Sequence, residues 1–397
     1  MHTNEINIKL DRILNELEFI KNRTSTYLGN REVLSYLIDE TPIFVNSNDS
    51  GCPINFMNGG AYEENYFTTL LSFRKPGSAL LDIGANLGYY SLRFSNYFRK
   101  SKIHAFEPNP RMRALFSKSA FLNGFSETIT IHPYAVSDKE GVLFLAVPEH
   151  HAGGASLTES GDHESCVKVD IKNLDAYLGS TFTCGLIKLD VEGHELHALR
   201  GMQSILERSN QCALMFEKLS PNSGIEGEMN EILSRIGWSI FLIEETKLRP
   251  VEISEFKRTG GYFIAAPLDY VEKEGMNRNF FDIFPSDLNN IVGEIQNQEF
   301  SYAGTLKSGS VIVHGPYWYL PKGYYRISLD ASFDAPLTVD VCERFGYKVA
   351  EFTLSPKTFS HDVPIPRDLQ KFELVIRSKN NTSAHINIRK IRLSRIG

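Results

Sequence analysis

The segment LIKLDVEGHELHALRG, residues 186–201, crowds five ionisable side chains where an apolar run ends: Lys188, Asp190, Glu192, His194 and Glu195. The apolar run reads as a buried strand, and ELHALRGMQSIL after it has helical spacing. In strand period Lys188 and Asp190 point to one face, and Glu192 falls in the turn. Such a set suits an alcohol, which is a poor nucleophile near neutral pH. It needs a base within hydrogen-bond reach or a metal that lowers its pKa. Two versions follow. In the preferred one, Asp190 or His194 takes the proton and Lys188 steadies the developing alkoxide. In the other, Asp190 joins Glu217, at the end of the run CALMFE, in holding Mg²⁺ or a similar hard cation. Glu192 either acts at the oxygen or holds the turn through backbone N–H groups. Glu195 is expected to cap the helix or face solvent, and His194 has the alternative of a satisfied helix-start residue.

A second motif stands earlier. LLDIGANLGYYS places Asp82, Gly84, Ala85, Asn86 and Gly88 at a strand-to-helix turn. Glycines let the backbone approach a ligand closely, and the following helix N-terminus favours a negative group. The next strand ends in AFEP, where Glu107, followed by Pro108, can hold the two ribose hydroxyls of an adenosine. A nicotinamide dinucleotide and S-adenosylmethionine both fit such a crevice. The dinucleotide fingerprint wants G-x-G-x-x-G around a diphosphate. Here the glycines are spaced G-x-x-x-G and an acid opens the loop, which suits the ammonium of a methionine moiety.

These residues need elements to hold them. ALLDIG, KIHAFEP, TITIHPYAVSD, CGLIKLD, CALMFE, WSIFLIE and GGYFIAAP read as seven strands. NLGYYSLRFSNYFRK, PRMRALFSKSAFLNG, ELHALRGMQSIL and IEGEMNEILSRIG read as helices between them. This alternation predicts an α/β fold, a mostly parallel seven-stranded sheet with helices on both faces. Residues 31–58 are irregular, with a helix and a strand at 43–45, and a helix follows over about 63–73. The insertion GVLFLAVPEHHAGGASLTESGDHESCVKVDI reads as a hairpin around a mobile glycine-rich loop. Its His150, His151 and Ser156 could cover an acceptor, although a His-His pair on a loop is more often solvated.

The pattern changes after residue 267. A connector over 268–289 leads into short strands divided by turns, which predict an antiparallel β-sandwich over 290–397. At the other end, Ile6, Leu10, Ile13, Leu17 and Ile20 form an a/d seam. Residues 1–30 are therefore read as a helix that lies on its own domain or joins protomers as a short coiled coil.

The motifs DIGANLGYYS, HAFEPNP, FLNG, AVSD, IKLDVEGHE and LMFE, in that order, resemble the FkbM-type family of S-adenosylmethionine-dependent O-methyltransferases. The resemblance covers about residues 62–267 of a domain placed at 31–267. It implies a Rossmann-like methyltransferase fold with an antiparallel last strand, and methyl transfer to a hydroxyl, often of a sugar or glycosylated metabolite. It also implies that the loop Asp82–Gly88 and Glu107 hold the cofactor. Tyr62 and Glu63 stand where family members resemble YE, and are expected to close over it or simply to start a helix. Asp138 or the backbone around Ala135 is expected near the adenine.

GPYWYLPKGYYRISLD in the sandwich concentrates aromatic residues that can stack on sugars or fill the core. The sandwich is similar to jelly-roll carbohydrate-binding modules. Fused to a sugar methyltransferase, it would concentrate a polymer end at the active site. A bacterial polysaccharide is the first acceptor considered. A non-catalytic glycan-binding or assembly protein on a Rossmann scaffold is the alternative from another class.

The formal net charge of −6 argues against a general nucleic-acid binder. Five scattered cysteines with no CxxC spacing indicate neither a zinc site nor a disulfide framework, and a cytoplasmic setting fits. No signal pattern and no membrane span are expected.

Overall fold

The computed structural model describes residues 24–161, 165–344 and 346–396. The seam at Ile6–Ile20, and with it the coiled coil and its homo-oligomer, lies outside the described residues.

Within the large sheet we number strands β1 (Leu80–Ile83), β2 (Ile103–Phe106), β3 (Ile129–His132), β4 (Leu186–Leu189), β5 (Ala213–Lys218), β6 (Trp238–Glu244), β7 (Lys247–Pro250) and β8 (Gly261–Pro267). Every residue of β1 and β4 is buried, as short apolar runs with helices on both faces should be. The order is β7-β6-β8-β5-β4-β1-β2-β3. Strands β3, β2, β1, β4 and β5 are parallel, and β8 is antiparallel to β5 and β6. The sheet thus has eight strands where the sequence suggests seven. The extra one, β7, is a polar KLRP segment pairing antiparallel with β6 at the sheet edge. Period-2 apolar alternation cannot reveal a strand of that composition.

The helices flanking this sheet include α1 (Glu64–Leu71), α2 (Tyr89–Tyr97), α3 (Pro110–Leu122), α4 (Glu195–Arg200), α5 (Gln203–Arg208) and α6 (Glu226–Arg235). In α3, Pro110 opens the helix and the Asn109 side chain accepts the Arg111 N–H, so an N-cap and a first-turn proline start it. ELHALRGMQSIL is two helices, not one. Gly201 presses against the Ser137 carbonyl, where a Cβ would lie 2.0 Å from the oxygen, and the chain breaks there.

The insertion forms the expected hairpin, Gly141–Ala146 with Cys166–Lys172, widened by Ser156–Thr158 and Tyr134–Val136 into a four-stranded sheet. Before β1, strands Thr26–Gly29, Glu32–Tyr36 and Pro42–Asn46 make a small antiparallel sheet, followed by helix Cys52–Met57. The two antiparallel sheets of the C-terminal region pack face to face. Phe280–Ile283 already pairs with the last strand, Thr382–Arg395. Trp318, Tyr319 and Tyr325 are buried, whereas Tyr317 and Tyr324 are exposed.

The sandwich packs on the α/β part without an apolar break. Trp318 Nε1 donates to the Tyr97 carbonyl at 2.8 Å, and Arg74 makes a two-pronged pair with Asp287 at 2.8 and 2.7 Å. Both partners of that pair are buried, and such a bidentate geometry fixes relative orientation.

Candidate active site

The turn after β1 is locked to β2, because the N–H groups of Gly84 and Ala85 both donate to the Phe106 carbonyl at 3.0 Å. Gly84 has φ +80°, and a Cβ there would lie 1.8 Å from the Asp190 carbonyl oxygen. The turns leaving β1 and β4 therefore touch backbone to backbone, which only glycine permits. Gly88, at φ +81°, is pressed in the same way against the Phe116 ring. A cleft opens beside these turns, at the carboxyl ends of the parallel strands. Gly84, Asn86, Glu107, Pro108, Ala135, Asp190 and Glu192 line it, with Ala152 and Gly153 of the insertion facing them.

Glu107 is buried and accepts the N–H groups of Asn86 and Asn109, each at 2.7 Å. Burial pushes its carboxyl up to about 7, against those two hydrogen bonds. The buried Asn86 Oδ1 has no hydrogen-bond partner among the described residues. A glycine cradle, an acid at the end of β2 and an orphaned acceptor fit an adenosyl group that donates through its hydroxyls.

The acid cluster gathers around Lys188. Its Nζ donates to Asp190 Oδ2 at 2.6 Å and lies over the Tyr90 ring. Burial alone would lower its pKa; Asp190 and then Glu63 outweigh that and hold the ammonium above the ordinary lysine range. Glu192 adopts φ +52°, a conformation disfavoured for non-glycine residues, and makes no hydrogen bond among the described residues. Burial, then Asp190 and Glu217, push its carboxyl up to about 7. Glu217 is also pushed up to about 7, by burial and then by Asp190. Glu63 ties this side together. Its carboxylate accepts the Tyr90 and Tyr262 hydroxyls, each at 2.7 Å, and Tyr262 also lies 3.3 Å from Glu217. The Tyr262 ring stacks on Tyr66, with centroids 3.9 Å apart.

Several expectations need correction. Asp82 does not face the cleft. It is buried beneath α2 and accepts both the N–H and the hydroxyl of Ser91, so it caps the first turn of that helix. His194 turns away as well. Its Nε2 lies 3.0 Å from the Ser137 hydroxyl, its ring stacks on His197, and burial pushes its pKa down to about 4. Asp138 lies beside Arg200 and Ser137 rather than in the cleft. Glu195, not Glu192, holds the turn, accepting the N–H groups of Val191 and Gly193. His150, by contrast, is exposed, as expected of a solvated loop histidine, and Ser50 donates to its carbonyl. The metal version does not fit these residues. Lys188 already places a cation on Asp190, and the described residues contain no cluster of three or more His, Cys, Asp or Glu able to hold an ion.

Tyr66, Tyr90 and Tyr262 were not singled out from sequence. Tyr262 pairs with Glu217 across β8 and β5. Nothing in either segment announces that pairing.

A strand order with a glycine turn and acid cluster at the parallel strands' carboxyl ends defines a Rossmann-like domain with a ligand crevice there. The family model of the methyltransferase FkbM domain matches residues 82–241. It is 28% identical over 148 residues to Methyltransferase 1 of Beauveria bassiana, covering 32% of this chain and 58% of that protein. It is 26% identical over 148 residues to the hexuronic acid methyltransferase AglP of Haloferax volcanii, covering 37% of this chain and 59% of that protein. The chain thus spans under two thirds of the length of either relative. A solved structure of a SAM-dependent methyltransferase from Agrobacterium tumefaciens matches at 11% identity and TM-score 0.34, over 60% of this chain and 70% of that one. No helix among the described residues is long and apolar enough to cross a membrane.

Proposed function

We propose that this protein is an S-adenosylmethionine-dependent O-methyltransferase whose acceptor is a saccharide hydroxyl. The observation that carries the proposal is the unpartnered Glu192 carboxyl, held near 7 in a left-handed turn and lining the same cleft as Gly84, Asn86 and Glu107. When bound, the cofactor supplies an electrophilic methyl group. The rest falls to the chain.

Glu107 holds the ribose hydroxyls, and Asn86 Oδ1 takes one further donor. Glu192 takes the acceptor proton, because a base with a pKa near the working pH combines adequate basicity with a large deprotonated fraction. Lys188 counters the charge that develops on the acceptor oxygen, and Asp190 fixes its ammonium. The Glu217 carboxyl and the Tyr262 hydroxyl oxygen, whose hydrogen goes to Glu63, offer acceptors to neighbouring hydroxyls of a sugar. A saccharide is favoured by that polar wall and by the hexuronic acid methyltransferase among the relatives.

Methyl-labelled cofactor incubated with candidate saccharides tests the proposal. Transfer to a sugar hydroxyl that falls in Glu192→Gln supports it; cofactor binding with no transfer to any hydroxyl acceptor overturns it.

A further inference from the structure

The seam between the α/β part and the sandwich carries a second groove, at the opposite end of α2 from the glycine turn. Two adjoining clefts form it, of about 1470 and 1420 Å³ counted out to open solvent. Tyr317 and Lys371 line both.

These two residues are unusual in backbone. Tyr317 has φ +69° and Lys371 φ +52°. They stand on neighbouring strands, Val311–Leu320 and Leu369–Ser378, where the pairing slips between Pro316 and Trp318. A bulge of this kind re-aims side chains. Trp318 turns inward and bonds to Tyr97, while Tyr317 turns outward and keeps 37% of its surface exposed. The Tyr317 hydroxyl is then pinned by His314 at 2.6 Å and Glu373 at 3.0 Å. Bulky residues in the left-handed region cost free energy, and such strain concentrates at ligand sites. The result is an aromatic face presented rigidly to solvent.

The charges around it are lopsided. The acids of the groove are engaged: Glu40 with Arg344, Glu373 with His314 and Tyr317, Asp287 with Arg74. The cations Arg99, Lys100 and Lys371 have no acidic partner among the described residues. Asn289 and Gln298 add neutral polar groups to the same cleft. An exposed ring beside amides and unpaired cations suits a saccharide chain carrying anionic groups. The ring stacks on the sugar's apolar face, the amides meet its hydroxyls, and the cations meet its carboxylates or sulfates.

We propose that this seam groove binds an acidic saccharide chain and tethers a polymeric acceptor to the enzyme. The proposal extends the saccharide-acceptor reading, but its test reads binding without methyl transfer, so the two can fail separately. The full chain is titrated calorimetrically, without cofactor, with oligogalacturonate, a heparin oligosaccharide and neutral maltoheptaose. One of the anionic oligomers should bind at least about tenfold more tightly than maltoheptaose, with affinity falling as salt rises. The tighter of the two identifies carboxylate or sulfate as the anion. R99Q/K100Q/K371Q and, separately, Tyr317→Ser should each weaken that binding about tenfold, with melting temperature and cofactor affinity unchanged. Absence of anionic-oligomer binding, equal binding of the neutral oligomer, variants that bind like the parent, or displacement of the saccharide by single-stranded poly(U) at lower concentration would each overturn the proposal.

Discussion

Lys188 Nζ donates to Asp190 Oδ2 at 2.6 Å, a contact between residues two positions apart on one face at the end of β4. The lysine is buried and the aspartate, 24% exposed, lines the cleft. A buried ammonium needs a carboxylate to remain charged, and the carboxylate is thereby fixed in direction. The pair is thus both a structural element and the cation of the site.

Asp190→Asn should therefore act twice. Leaving the Lys188 ammonium without its anion should cost about 3 kcal/mol of stability, the low end for a broken buried pair because Asp190 is partly solvated. Denaturant unfolding measures this. Turnover should fall more than the stability loss explains, and addition of EDTA should leave wild-type turnover unchanged. A drop with EDTA that Mg²⁺ restores would refute the assignment of Lys188 as the site's cation.

Activity should depend on pH through the base, Glu192, one of three site carboxyls, with Glu107 and Glu217, that are pushed up to about 7. Each is mostly protonated below that pH and ionised above it. A base works only when ionised, so kcat/KM should rise with pH through about 7 and then level. Glu192→Gln should lower turnover by about 10²–10⁴-fold, the usual contribution of a positioned general base, and abolish that limb. A pH–rate profile of the variant with the limb intact would remove Glu192 from the role.

His194→Gln should change turnover by less than about threefold, since the imidazole faces Ser137 and His197 rather than the cleft. Steady-state kinetics decide this, and a loss comparable to that of Glu192→Gln would bring the histidine back into the mechanism.

Gly84→Ala should abolish cofactor binding measured by calorimetry, because its Cβ would collide with the Asp190 carbonyl at 1.8 Å and φ +80° is strained for alanine. Gly77→Ala is the control. It has a similar positive φ but open space, so it should lose only about 1 kcal/mol of stability and keep cofactor affinity.

Local signals carried much of this protein. Apolar runs of four to seven residues between helical patterns fixed the parallel strands, and the glycine spacing at 84 and 88 marked the turn beneath the ligand. The ends of β2, β4 and β5 supplied Glu107, Lys188, Asp190, Glu192 and Glu217, because strand ends are visible as the points where apolar runs stop. Direction and partnership were not visible. Whether Asp82 looks into the crevice or under α2 depends on how the helix seats on the sheet. Whether Glu192 or Glu195 holds the turn depends on which one the backbone N–H groups meet. Glu63, Tyr90 and Tyr262 come from three distant segments and meet only because β8 pairs with β5 and α1 packs beside α2. Periodicity reports which residues leave water; it carries no record of which buried group faces which, since that is set by long-range packing.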